Sequence, residues 1–286
     1  MNKPKEFITF ETAWCPGCGD FGILEALKET LQDMEMSPHE VLVVGGIGQA
    51  AKTPQYINSN GFEGLHGRAL PAAAAAKISN HKLTVIVDSG EGDSYGEGGN
   101  HFMHNIKRNV NMTHFVHDNQ IYGLTKGQAS PTSDTGSITD FTPDGVNVNP
   151  LNPIVAAIGL GVGFVARAFS GDKEQLKKIM TEAINYNGYA LVDILQPCVS
   201  FNKVNTFAWY KKRVYNLPED GSYNPNDKIQ AFAKGLEWGD KIPTGVIYRE
   251  DRAASFVDKV PFLQDAPLVD LPVETEAIKG FIQEFM

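Results

Sequence analysis

Cysteine is scarce: three among 286 residues, at positions 15, 18 and 198. So small and odd a number supports no disulfide framework. Excess positive charge is absent too. The formal net charge is −9, which excludes a general nucleic-acid binder, because that class carries a basic surface. No apolar run is long enough to span a bilayer; the longest, Ile154 to Val165, is interrupted by Gly159, Gly161 and Gly163. The opening stretch MNKPKEFITFETAWC has no apolar core of signal-peptide length. Internal repeats and low-complexity tails are missing. The expectation is a soluble cytoplasmic protein that binds neither nucleic acid nor membrane. Its 42% hydrophobic content is enough for a substantial core.

What is present has the rhythm of alternating strand and helix. Leu24, Leu27, Leu31 and Met34 recur at helical spacing after Asp20, a residue type suited to an N-cap. VLVVGG (41–46) reads as a buried strand, RALPAAAAAKISN (68–80) as a closely packed helix and LTVIVD (83–88) as a strand. GGNHFMHNIKRN (98–109) reads as a helix and MTHFVHD (112–118) as a strand, followed by a long polar loop from Gly127 to Pro150. NPIVAAIGLG, GFVARAF, DKEQLKKIMTEAINYN and YALVDIL (189–195) then read as helix, strand, helix and strand. This alternation predicts an α/β fold, a doubly wound and mostly parallel sheet covered on both faces. The rhythm is lost after Phe201. The predicted organisation is one domain over 1–200 and an irregular C-terminal extension over 201–286, packing on that domain or on a partner.

In open parallel sheets, ligands bind beyond the carboxyl ends of the strands. GGIGQ (45–49), SGEGDSYGEGG (89–99), NQIYGLTKGQ (119–128) and QPC (196–198) each follow a predicted strand and would converge on one side. Tight-turn glycines are the plain alternative for any single loop. Gly90 and Gly92 let backbone approach a phosphate closely. Glu91 in GEG, and Asn119 in the DN pair 25 residues further on, offer hard oxygens, with the Ile121 carbonyl close enough to join them. Mg²⁺ favours such oxygens and commonly links protein carboxylates to a diphosphate. The Cys15–Cys18 pair can hold a metal, hold a cluster or do redox chemistry, the last helped by a helix N-terminus that lowers a thiol pKa. Cys198 alone reads as an inert buried thiol.

The GEG–DN spacing resembles the thiamine-diphosphate motif. With CPGCGDFG (15–22), LHGRALP (65–71), GEGDSYGEGGNHFMHNIKRN, DNQIYGLTKGQASPT and QPC, the chain resembles the β subunits of 2-oxoacid:ferredoxin oxidoreductases, in order from about residue 12 to residue 210. The resemblance implies a thiamine-diphosphate-binding fold in which Ile47, Gly48, Gln49 and Ala50 line the cofactor pocket. It implies that His66 contacts the diphosphate or its neighbour, that Gly92 and Asp93 cradle it, and that Gly123 and Leu124 close over it. Glu91, Asn119 and the Ile121 carbonyl would bind Mg²⁺. Cys15, Cys18 and Cys198 would bind an iron–sulfur cluster near the thiazolium. The activity implied is CoA-dependent oxidative decarboxylation of a 2-oxoacid, with electrons passed to ferredoxin. It would run in a heterodimer whose α subunit supplies half the cofactor pocket, so this chain alone would be inactive. Lys126, just past the metal loop, would pair with the second carboxylate of 2-oxoglutarate; pyruvate remains a possible substrate.

Two positions depart from the family pattern. Glu91 stands where the family has Asp, which keeps the charge and adds a methylene. Gln49 stands where the family has a fourth cluster cysteine, and its amide is a poor ligand for soft iron. Three outcomes stay open: a [4Fe–4S] cluster on three thiolates, a [3Fe–4S] cluster, or none, leaving zinc or free thiols. Two other functions compete: a thiamine-diphosphate decarboxylase without electron transfer, and a non-catalytic scaffold subunit with a zinc-bound cysteine triad. His101, His104, His114 and His117 read as ordinary helix and strand residues.

Overall fold

The strands Met112–Asp118 and Tyr189–Leu195 are buried at every one of their seven positions, as expected of strands covered on both faces. The computed structural model describes residues 6–251, 254–271 and 275–286, so the first five residues of the stretch read for a leader lie outside it. In chain order come α1 (Asp20–Asp33), β1 (Val41–Gly45), α2 (Thr53–Tyr56), β2 (Asn60–Glu63), α3 (Ala69–Ser79), β3 (Thr84–Gly90) and α4 (Gly99–Arg108). Next are β4 (Met112–Asp118), the short hairpin β5 (Ile121–Tyr122) and β6 (Gln128–Ala129), α5 (Pro153–Leu160), β7 (Phe164–Phe169), α6 (Lys173–Ile184) and β8 (Tyr189–Leu195). The remainder gives α7 (Phe207–Lys211), β9 (Val214–Asn216), α8 (Lys228–Gly235), β10 (Ile242–Arg249), α9 (Pro261–Asp265) and α10 (Thr275–Glu284). No helix among the described residues is long and apolar enough to cross a membrane.

Eight strands form one sheet in the order β2-β1-β3-β4-β8-β7-β10-β9. The first six are mutually parallel; β10 pairs antiparallel with β7, and β9 runs parallel to β10. Ile23, Leu27 and Leu31 of α1 and Leu176, Ile179 and Met180 of α6 build the core on one face. Leu70 and Ala73 of α3, Phe102 and Ile106 of α4, and Ile154 and Ala157 of α5 build it on the other. The sheet is thus doubly wound and mostly parallel, and residues beyond 201 supply two of its strands.

Local chemistry sets the helix ends. Asn152 caps α5 by accepting the Val155 N–H at 3.1 Å, Pro153 follows it, and Gly161 closes the helix at φ +89°. Asp172 caps α6 through the Gln175 N–H at 3.2 Å. Asp20, expected to cap α1, does not: Gly19 holds that position without a side-chain bond. The Asp20 carboxylate turns inward, where His117 Nδ1 lies 2.7 Å away. Buried partners outbid the local backbone.

His114 of β4 is fully buried, with Nδ1 2.6 Å from the Tyr189 hydroxyl and Nε2 2.9 Å from Ser94 Oγ. Burial pushes its pKa down to about 3, so the folded chain holds it neutral. Below about pH 6.5 the unfolded chain takes up a proton that the folded chain refuses, so stability falls as pH drops through that window. The expected cost is about 1.4 kcal/mol per pH unit. His114→Gln is expected to flatten the unfolding free energy between pH 6.5 and 4.5 by that amount relative to wild type. Parallel curves would show that this histidine is not the group responsible.

Candidate functional site

Because β1, β3, β4 and β8 are parallel and in register, their carboxyl ends finish along one edge, with Gly90 opposite His117 and Asp118 opposite Leu195. The four odd loops therefore meet. Ile47, Gly48, Gln49, His66, Gly92, Asp93, Gly123 and Leu124 line one cleft, together with Glu91 and Ile121 of the expected metal set. Ala50 is buried beside it at the start of a short 3₁₀ turn. Asn119 is off the wall but reaches it through Ile121, whose N–H points at both Asn119 Oδ1 (3.0 Å) and Glu91 Oε1 (3.1 Å). Lys126 is exposed on the lip, one residue beyond the wall residue Thr125, in a left-handed conformation (φ +76°).

Asp93 organises the cleft. It is buried, and its Oδ1 accepts the N–H of Ile47 at 2.9 Å and of Gly67 at 2.8 Å, with His66 Nδ1 at 2.9 Å. Burial raises its pKa; those two N–H groups and His66 oppose the rise. Its carboxylate thus clamps protein loops, leaving the cradle to backbone. Gly46 is obligatory beneath it, since a Cβ there would stand 2.1 Å from Asp93 Oδ2. Gly92 is glycine for a reason the sequence did not reveal: a Cβ would stand 2.2 Å from the Tyr122 ring. Residues 92–97 form a π-helical turn that presents these groups.

Glu91 is 2% exposed, and burial pushes its carboxyl up to about 7 against the opposing hydrogen bonds of Ser130 and nearby backbone. A buried carboxylate with an amide oxygen beside it suits a hard cation, and the set would place one charge where a diphosphate needs neutralising. Among the described residues no three His, Cys, Asp or Glu side chains meet as ligands of a single ion. The expected magnesium set contains only one such side chain, the rest being an amide and a carbonyl.

Next to the cleft is a second cavity lined by Cys15, Cys18, Cys198, Trp14 and Phe201, and it shares Gln49 and Gly123 with the cleft. All three thiols are free. The Cys18 pKa is raised far above its ordinary value, by burial first and then by the Asp20 charge. That is the opposite of the lowered value expected at a helix N-terminus. The thiol lies 3.2 Å from Asp20 Oδ2. Asp20 in turn is tied to His117, whose Nε2 lies 2.6 Å from Asp88 Oδ1. Burial alone would lower the His117 pKa; the Asp88 and Asp20 charges outweigh it and hold it up at about 10. This buried ionic group fastens the start of α1, and so Cys18, to β3 and β4.

Gln196 links the two cavities. Its Oε1 accepts from Asn119 Nδ2 at 2.9 Å, and its Nε2 donates to Cys18 Sγ at 3.4 Å. Sequence reasoning missed Gln196, Tyr122 and Trp14 as site residues, although the first two lie within motifs that it singled out and Trp14 adjoins one. His101, read as an ordinary helix residue, faces Arg68 at 3.2 Å.

Known proteins bear on this arrangement. The family model described as the C-terminal TPP-binding domain of thiamine pyrophosphate enzymes matches residues 44–194. The one described as the C-terminal part of the pyruvate ferredoxin oxidoreductase beta subunit matches residues 198–265. The 2-oxoacid:ferredoxin oxidoreductase subunit beta of Saccharolobus solfataricus is 43% identical over 259 residues, covering 86% of this chain and 85% of its own. The corresponding subunit of oxidoreductase 1 from Aeropyrum pernix is 40% identical over 274 residues, covering 93% and 86%. A solved 2-oxoglutarate:ferredoxin oxidoreductase from Magnetococcus marinus, with 2-oxoglutarate, coenzyme A and succinyl-CoA bound, superposes with a TM-score of 0.88 at 33% identity, covering 95% of this chain and 92% of that one. Cleft, cysteine cavity and likeness along nearly the whole length agree: this chain belongs to the family of 2-oxoacid:ferredoxin oxidoreductase β subunits.

Proposed function

We propose that this chain is the cofactor-binding subunit of a heterodimer that oxidatively decarboxylates a 2-oxoacid, 2-oxoglutarate in preference to pyruvate. The products are acyl-CoA and carbon dioxide, with electrons delivered to ferredoxin, and the reaction is reversible. The carrying observation is the wall of Gln49 and Gly123 that separates a diphosphate-suited cleft from a cavity of three free thiols. Thiamine diphosphate, when bound, supplies a nucleophilic carbon and an electron sink. Glu91, Asn119 and the Ile121 carbonyl hold Mg²⁺. Ile47, Gly48, Gln49, Ala50 and His66 line the pocket, Gly92 and the backbone of Asp93 cradle the diphosphate, and Gly123 and Leu124 cover it. Cys15, Cys18 and Cys198 hold a [4Fe–4S] cluster, within reach because the cavities adjoin. A cluster keeps its thiolates at separate corners, as a cavity wall can. Edge strand β2 is exposed along its whole length, with Leu65 beyond it 76% exposed, which supports a partner subunit on that side. Residues 1–200 carry the cofactor site, and the segment after 201 extends the same sheet through β9 and β10. The setting is the cytoplasm.

The test uses the complex with its α subunit, supplied with 2-oxoglutarate and CoA under anaerobic conditions. Viologen reduction matched to acyl-CoA formation supports the proposal. Carbon dioxide release without dye reduction would mean a plain decarboxylase. A preparation that retains no thiamine diphosphate would leave only a scaffold. Lys126 sets the preference through a charge-assisted bond worth about 1.5–3 kcal/mol. Lys126→Ala is expected to lower kcat/KM for 2-oxoglutarate by roughly 10- to 100-fold and to leave pyruvate nearly unchanged. Equal losses on both substrates would remove the specificity claim.

A further inference from the structure

Gln49 lines the cysteine cavity together with Cys15, Cys18 and Cys198. Gln49 Oε1 is out of contact with solvent and has no hydrogen-bond partner. A buried amide oxygen without a partner is unfavourable, and a ligand bound there would satisfy it. The backbone that carries it is fixed: the main-chain carbonyl of Gln49 accepts from Trp14 Nε1 at 2.8 Å, and Trp14 packs edge-on against Phe21 and Tyr56 at centroid distances of 5.3 and 4.8 Å. Iron–sulfur clusters of this type take four protein ligands, and only three thiols are here. Ser200 also lines the cavity, but the orphaned acceptor belongs to Gln49.

We propose that Gln49 Oε1 is the fourth protein ligand, binding the one iron that lacks a thiolate, on the wall shared with the cofactor cleft. The inference rests on the cluster reading above and adds its asymmetry. A neutral oxygen in place of a thiolate makes the cluster less negative by one charge, which raises its reduction potential. A hard oxygen is a weak ligand for soft iron, so that corner is also the one that opens.

The experiment treats the anaerobic complex with ferricyanide and follows it by EPR, iron counting and redox titration. Ferricyanide removes one electron from [4Fe–4S]²⁺; the resulting [4Fe–4S]³⁺ releases Fe²⁺ and becomes [3Fe–4S]⁺. Wild type is expected to give the three-iron signal with one iron lost per cluster. Gln49→Cys is expected to keep all four irons under the same treatment and to titrate at a lower potential. Gln49→Glu, of nearly the same shape, is expected to hold the iron and also shift the potential down. Gln49→Ala is expected to lose it several-fold faster than wild type, with changed g-values in the reduced state. Identical rates and g-values in wild type and Gln49→Ala would overturn the assignment while leaving the cluster in place. A wild-type complex with no iron at all would overturn the cluster reading as well.

Discussion

Glu91→Ala is expected to reduce Mg²⁺-dependent retention of thiamine diphosphate by at least about 100-fold, the upper end of what even outer partners of metal ligands contribute. Glu91 is the sole carboxylate in the proposed set, is 2% exposed, and shares the Ile121 N–H with Asn119. Alanine would remove the only carboxylate of the proposed ligand set. The alternative role, a carboxylate that merely ties the loop after β4, predicts a different result. In that case Glu91→Gln, which keeps an oxygen for the Ile121 N–H, would bind cofactor normally. Cofactor content after gel filtration, measured across a magnesium series, separates the two. Normal retention in Glu91→Gln would remove this residue from the metal set.

Asp93→Ala is expected to have a comparable effect by another route. It strips acceptors from the Ile47 and Gly67 N–H groups, which lie on the loops after β1 and before α3. Leaving the buried Gly67 N–H unpaired costs roughly 1–3 kcal/mol, and the part-buried Ile47 N–H adds less. Since both loops form the cleft, much of that cost falls on cofactor binding, and the dissociation constant for thiamine diphosphate is expected to rise roughly 100-fold. Asp93→Asn, whose amide oxygen still accepts, is expected to recover most of it. A fall in melting temperature with unchanged cofactor affinity would confine Asp93 to stability.

The main sheet was legible because its strands are short apolar runs separated by helices of regular period. β2 was not, because Asn60–Glu63 is exposed at all four positions and carries no apolar pattern. β10 was missed for a different reason. Pro243 and Gly245 break IPTGVIYR as a local signal, and its antiparallel place beside β7 depends on partners distant in sequence. At the site, the strand-end loops and the GEG–DN spacing located the cleft, and the family resemblance named most of its residues. They were silent on orientation. Asp20 read as a cap because caps are local, but its partners His117 and Cys18 lie in the fold. Gly92 read as room for a phosphate, and its packing against the Tyr122 ring was not legible. The role of Gln196 depends on two contacts with residues 77 and 178 positions away, which no local pattern records.

That one carboxamide also spans both halves of the site. Gln196 has a single amide plane, and it is committed at one end to Asn119 and at the other to Cys18. A turn of the Asn119 amide therefore moves the same plane that meets the Cys18 sulfur. Asn119, beside the cofactor cleft, and Cys18, on the wall of the cysteine cavity, are thus held by one side chain, so a substitution at Gln196 is expected to loosen both.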